Sequence, residues 1–255
     1  MSGFDWIIPV VLTIITAATP LVFAGIGELV TEKSGVLNLG VEGMMLVGAV
    51  SGFITALVTG NYFLAVAAAA LAGAIMAFLF GVLTLSLMAN QVATGLSLTL
   101  FGVGLSALMG QEFVGEPVSA LGKLDIAGLS DLPFVGPILF AQDALVYLSF
   151  VMVALVSWFL YKTKAGLILR AVGDSHNAAH SIGYPVIAIR YLAVMFGGAM
   201  SGIGGAYLSL AYTPMWAENM TAGRGWIALA LIVFATWKPG LVLVGHIWRP
   251  YLSSS

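Results

Sequence analysis

Long apolar runs separated by short polar breaks dominate the chain. They cover residues 6–27, 41–59, 62–89, 92–110, 144–161, 187–213 and 225–237, with a last apolar piece near 240–248. A helix needs roughly 20 apolar residues to cross a hydrocarbon core of about 30 Å, and most of these runs approach that length. The pattern predicts an all-α fold, a polytopic membrane helical bundle of about 8 spans, in a single transmembrane domain over residues 1–255. Two polar intervals are long. Residues 111–143 are net acidic and rich in Gly and Pro, whereas 162–186 hold Lys162, Lys164 and Arg170, with Arg190 just beyond.

Composition agrees with the pattern. Of 255 residues, 60% are hydrophobic and 8% are charged, against roughly 25% charged in a soluble domain, and the mean hydropathy is +1.06. The absence of cysteine removes disulfides, thiolate metal sites and cysteine nucleophiles. A net charge of −2 spread over few charges gives no footprint for nucleic acid. Residues 1–5 carry no Lys or Arg, so the first run is expected to stay in the membrane as a helix and not to be cleaved as a signal peptide. The Lys/Arg asymmetry assigns 162–186 to the cytoplasm and 111–143 to the outside. Lys33 and Lys238 then fall inside, and Lys123 and Arg224 outside.

One stretch stands out in so apolar a chain. Residues 27–45, GELVTEKSGVLNLGVEGMM, hold Glu28, Glu32, Lys33, Asn38 and Glu42 between two hydrophobic runs. Ionisable groups at membrane depth are costly and usually face a cavity or mark a pathway. Gly35, Gly40 and Gly43 interrupt the apolar pattern, which suits a broken or re-entrant segment near 28–43 whose free backbone groups line a polar space. Glu28, Glu32 and Lys33 read best as part of a solvated cytoplasmic loop flanking two helices. Asn38 and Glu42 lead directly into GMMLVGAV and read as membrane-facing, nearest a substrate pathway.

In the basic interval, Asp174 precedes SHNAAHSI and is placed to cap a short helix. Gly183 then allows a left-handed stop, and Pro185 blocks continuation. So short a helix does not hold alone in water and needs a surface, either a partner protein or the bundle itself. His176 and His180 share its face without a third metal ligand, so a polar face is the better reading and no metal site is assigned. Further on, Gly198, Gly202 and Ala206 recur at i, i+4, i+8, as do Gly197, Ser201 and Gly205. That spacing lets membrane helices approach closely. No G-x-x-x-x-G-K-[ST], G-x-S-x-G or H-E-x-x-H motif occurs, so neither nucleotide binding nor the common hydrolase chemistries are indicated.

Three segments together resemble a known family. ATPLVFAGIGELVTEKSGVLNLGVEGMMLVGA (18–49) resembles the start of permease subunits of bacterial ABC importers. The similarity is to the branched-chain amino acid and simple-sugar permease superfamily, in particular its nucleoside-transport branch, with Lys33 where Arg is the usual residue. Around Arg170, Gly173, Asp174, Ala178, Ala179 and Gly183 the chain looks like the family's cytoplasmic coupling-helix region. AGRGWIALALIVFATWKP (222–239) resembles its late signature. After Pro239 the resemblance breaks off, so 240–255 read as an atypical or truncated end.

The resemblance implies a permease in the bacterial plasma (inner) membrane, surrounded by lipid. A separate ABC ATPase would bind at 174–183, a substrate-binding protein would deliver the solute, and a second homologous permease chain would complete the pair. It implies no cofactor in this chain, with ATP acting through the partner ATPase, and it puts nucleosides first as substrates, ahead of simple sugars and branched-chain amino acids. An ion-coupled secondary transporter is the rival reading. It would use an intramembrane carboxylate directly, and Glu42 is the candidate.

Overall fold

The computed structural model describes residues 7–122, 124 and 140–234. Its helices in chain order are α1 (Ile7–Lys33), α2 (Val41–Thr59), α3 (Tyr62–Gly81), α4 (Gln91–Gly110), α5 (Ala144–Lys162), α6 (Lys164–Asp174), α7 (His176–Ser181), α8 (Val186–Tyr207) and α9 (Arg224–Phe234). Two of them extend through π-helical turns, α3 over Val82–Ser86 and α8 over Leu208–Tyr212. Among the described residues six helices are long and apolar enough to cross a membrane: α1, α2, α3, α4, α5 and α8. The all-α polytopic class is as the sequence pattern implies. The span count is lower than about eight because α9 is described over only 11 residues, while 240–248 lie outside the described residues.

Local chemistry sets the helix ends. Asn61, Asn90 and Asp143 cap α3, α4 and α5 by accepting backbone N–H bonds from the first turn. Gly35, at φ +82°, takes the left-handed conformation that stops α1. Helix α1 therefore runs on through Glu28, Glu32 and Lys33, past the expected end near residue 27. The backbone of a helix bonds to itself, so a few polar side chains do not end it.

The interval 162–186 is also more ordered than a loop. Thr163 accepts the Gly166 N–H at 3.0 Å and starts α6, whose Gly166, Leu169 and Val172 turn inward at three-residue intervals. Asp174 is the last residue of α6 and does not cap the next helix. Ser175 does, accepting the Ala178 N–H at 3.4 Å. The reason is positional: Ser175 is the extended residue at the junction, with its hydroxyl directed at the first turn of α7.

Helix α8 is the hub of the bundle, packing on α1, α2 and α3. Gly202 lies against the backbone of α3 at Ala69 and Gly73, and Gly48 of α2 lies against the backbone of Gly202. A Cβ at Gly48 or at Gly202 would overlap main-chain atoms of the neighbouring helix, so these backbones meet directly. Polar side chains stitch the same seams, with Ser209 donating to the Ala49 carbonyl at 2.8 Å and Thr31 to that of Ala193 at 3.3 Å.

The connections sort into two ends. At one, which carries Lys33, Lys162, Lys164 and Arg170, the turn after α1 meets the start of α4 through Leu37 N–H to Gln91 Oε1 (2.9 Å). There too the Ser86 and Tyr191 hydroxyls lie 2.7 Å apart. At the other end Tyr62 bonds the Ser119 carbonyl, and residues 114–118 pair with 214–216. Asp143 is the buried cap of α5 at that end. Burial pushes its carboxyl above the usual range, against the opposing pull of the Val146 and Leu145 amides and the Tyr207 hydroxyl.

Candidate functional site

The chain after α1 folds back along it. The Asn38 N–H donates to Glu28 Oε1 at 2.9 Å. Glu28 precedes Lys33 by more than one helical turn, which amounts to a retreat of about 7.5 Å at 1.5 Å per residue. Asn38 Oδ1 accepts the Gly40 N–H at 2.9 Å, bracing the residue that begins α2. Its Nδ2 faces Met44 Sδ at 3.5 Å. Asn38 is 0% exposed and Glu28 1%. The reading of Glu28 as part of a solvated loop is thus corrected: its carboxyl fastens the returning chain, with Oε2 buried and lacking a hydrogen-bond partner. Glu32 and Lys33 are half-buried at the end of α1.

Glu42 has its partners within the chain. Its Oε1 accepts the Thr221 hydroxyl at 2.5 Å and the Gly223 N–H at 2.8 Å, and its Oε2 accepts the Gly225 N–H at 2.6 Å. These donors form the first turn of α9 and the residues before it. The carboxyl therefore caps a helix N-terminus from a different helix, where exposed N–H groups and the helix dipole favour negative charge. The turn leading in is tight, with positive φ at Asn219, Ala222 and Gly223. A Cβ at Gly225 would stand 2.7 Å from Glu42 Cα and N, which is why a glycine is needed there. Arg224 lies beside this site and donates to the Met220 and Thr221 carbonyls at 3.1 and 3.3 Å.

The second cluster sits at the basic end. Helix α7 is exposed except for Ala179 (3%), which packs with Val172 and Val186. Ala178 and Asp174 are exposed, as is Gly183, whose φ of +89° ends the segment. Arg170 lies over the Tyr161 ring at 5.2 Å. Gly173 presses on the turn after α1, so the two clusters touch. A cleft beside α7 is lined by His180, Gly183, Tyr184, Pro185, Ile187 and Tyr191. Gly198, Gly202 and Ala206 lie apart from both clusters, on the buried α8 seams toward α3 and α2.

Sequence reasoning singled out Asn38 and Glu42 but not Thr221, Gly223 and Gly225 as the partners of Glu42. The GRG of residues 223–225 was a signal, since glycines flanking a helix start mark close backbone approach. Nothing local to Glu42 points some 180 residues ahead.

Membrane-crossing helices around a glycine-seamed hub, with a buried polar break and a short exposed helix at a basic end, define a polytopic helical membrane protein. The chain belongs to the family described as "Branched-chain amino acid transport system / permease component", which matches residues 10–254, across the point where the resemblance breaks off. It is similar to a putative glucose ABC transporter permease protein of Haloferax volcanii, 46% identical over 235 residues, covering 91% of this chain and 71% of that protein. A nucleoside ABC transporter permease protein of Lactococcus lactis is 33% identical, with 90% and 76% covered. A guanosine ABC transporter permease protein of Bacillus subtilis is 31% identical, with 90% and 77% covered. No solved structure matches. The chain is accordingly a permease subunit of an ABC importer and a multi-pass protein of the plasma membrane. Membership implies an ATPase and a substrate-binding protein as partners.

Proposed function

We propose that this subunit conducts a neutral, hydroxyl-rich solute inward, a simple sugar such as glucose, with a nucleoside as the second reading. The observation that carries the sugar reading is the 46% identity to the putative glucose permease over 91% of the chain. The nucleoside reading rests on the relatives at 33% and 31% identity and on the motifs of residues 18–49. Both solutes present sugar hydroxyls, which a binding pocket recognises through a few placed polar groups.

In this reading the basic end is cytoplasmic, as the Lys/Arg bias of 162–186 favours, and 111–143 face outward. Two permease chains form the pathway, a second homologous copy beside this one. The ATPase docks on the exposed side of α7 and couples to the bundle through Arg170, Gly173, Asp174, Ala178, Ala179 and Gly183. ATP is bound and hydrolysed in that partner, and this chain carries no cofactor. Asn38 and Glu42 shape the pathway by holding the start of α2 and the N-terminus of α9, and their own hydrogen bonds within the chain support this role over direct contact with solute.

The test is uptake into liposomes that hold the permease with its ATPase and receive the cognate binding protein. ATP-dependent accumulation of labelled glucose, suppressed by excess unlabelled glucose, is the expected result. Accumulation of guanosine without glucose would replace the sugar reading by the nucleoside one. Uptake driven by a proton or sodium gradient without ATP would overturn both.

A further inference from the structure

The turn after α1 is wedged between two elements of the basic end. Arg190 of α8 donates from Nε to the Ser34 carbonyl at 3.0 Å. Gly173, next to last in α6, meets the same turn without an intervening side chain. A Cβ placed there would overlap the Lys33 carbonyl and come within 3.1 Å of Gly35 N. From the other side, a Cβ on Gly35 would lie 3.0 Å from an Arg190 terminal nitrogen and 3.2 Å from Gly173 Cα. Backbone thus rests on backbone, and one guanidinium closes the contact.

Each side of this contact continues into a rigid element. Helix α6 passes into α7 through Ser175, whose N–H bonds the Ala171 carbonyl at 3.0 Å. Val172 and Ala179 are packed together with Val186, which ties α6, α7 and the start of α8 into one block. On the other side the turn leads within a few residues to Asn38, which is fastened to Glu28 of α1 and braces Gly40 at the start of α2. A displacement of α7 therefore reaches the start of α2 through Gly173, Gly35 and Asn38, with little compressible material between them. Close-packed interiors transmit displacement in this way because they do not deform continuously.

We propose that the turn at residues 34–37 hands movement of α7 to α2, and that Arg190 is the positioning residue that keeps the turn seated on α6. This rests on the reading of α7 as the ATPase contact. Arg190 lies on α8, outside α7, and its hydrogen bond goes to the turn. Its loss should uncouple ATP hydrolysis from transport and leave both the partner contact and the hydrolysis in place.

The experiment measures solute moved per ATP hydrolysed in liposomes holding the complete complex, for the wild type, Arg190→Gln and Arg190→Lys. The expected result is normal co-purification of the ATPase and normal hydrolysis in R190Q. Uptake should fall by roughly tenfold or more, the scale of one hydrogen bond made by a charged group. R190K, which keeps a charged donor able to reach the Ser34 carbonyl, should recover part of the lost uptake. An unchanged transport-to-ATP ratio in R190Q overturns the inference. So does a parallel fall of assembly, hydrolysis and uptake in both variants, which would make Arg190 a fold-holding residue only. If the wild-type complex shows no ATP-driven uptake, the transport reading fails and takes this inference with it. Normal wild-type uptake beside an unchanged R190Q removes the inference alone.

Discussion

Residues 34–42 and residues 174–186 are both short, glycine-bearing interruptions between long helices, and both contain polar side chains. In the first, Asn38 and Glu42 are 0% and 4% exposed, and their main hydrogen bonds run to Gly40, Thr221, Gly223 and Gly225. In the second, the side chains of α7 stand in the open apart from Ala179. The contrast separates two uses of a break in a membrane protein. A sealed break fixes where helices start, because every buried donor must find an acceptor inside the protein. An open break leaves a surface whose energetics depend on what docks there.

The sharpest way to break the contrast is to remove the acceptor from the sealed region. Glu42→Ala leaves the Gly223 and Gly225 N–H groups without their partner. At about 1–3 kcal/mol for each unsatisfied donor, the expected loss is roughly 2–6 kcal/mol. Thermal unfolding of the detergent-solubilised protein should show a large downward shift, and uptake should be abolished. Wild-type stability and uptake in this variant would mean that α9 is held by packing alone.

Asn38→Leu removes one acceptor, that for Gly40, and should cost about 1–3 kcal/mol by the same reasoning. Uptake should fall while the ATPase still co-purifies. A variant with normal uptake would return the segment to a plain turn between two helices.

The open region should respond differently at adjacent positions. Ala179→Leu overfills the contact with Val172 and Val186 and is expected to cost about 1–3 kcal/mol. Ala178→Glu, on the exposed side, should change stability by no more than about 0.5 kcal/mol yet reduce ATPase co-purification. Equal loss of stability at both positions would show that α7 is buried against something in the isolated protein. Intact ATPase binding in A178E would move the contact elsewhere.

The smallest effect expected is at Asp143, at the far end. Its carboxyl is raised by burial, so the protonated form is favoured by folding. Stability from this group is fully present below the ordinary carboxylate range and is lost as pH rises through the raised value. The melting temperature of the wild type should therefore climb relative to Asp143→Asn as pH falls from neutral into that range. A pH-independent difference between the two would show that the Leu145 and Val146 amides and the Tyr207 hydroxyl offset the burial.

Much of the architecture is legible in linear order. Apolar runs of spanning length specify helices because a backbone in lipid must bond to itself. The small residues at i, i+4, i+8 from Gly198 mark a close-packing face, although not the helix it meets. The left-handed stop at Gly183 is likewise local, since a glycine before Tyr-Pro can take a conformation that most residues avoid. Three local signals competed and were harder to rank. Glu28 looked like a polar flank and lies within α1. Asp174 was the expected cap, and the extended backbone at the junction gives that place to Ser175 instead. The inward spacing of Gly166, Leu169 and Val172 was present but masked by the surrounding charges.

By itself, then, the sequence determined that this is an all-helical membrane protein with a polar break near its first helix and a short helix in a basic interval. Each of these follows from interactions within a few residues of one another. Only the tertiary structure decided that Glu42 serves the N-terminus of α9 and that Gly173 seats the turn at Gly35. Those partners lie far apart along the chain, and their pairing depends on how the helices stack. A buried carboxylate must find donors, but which donors it finds is settled by the packing that buries it.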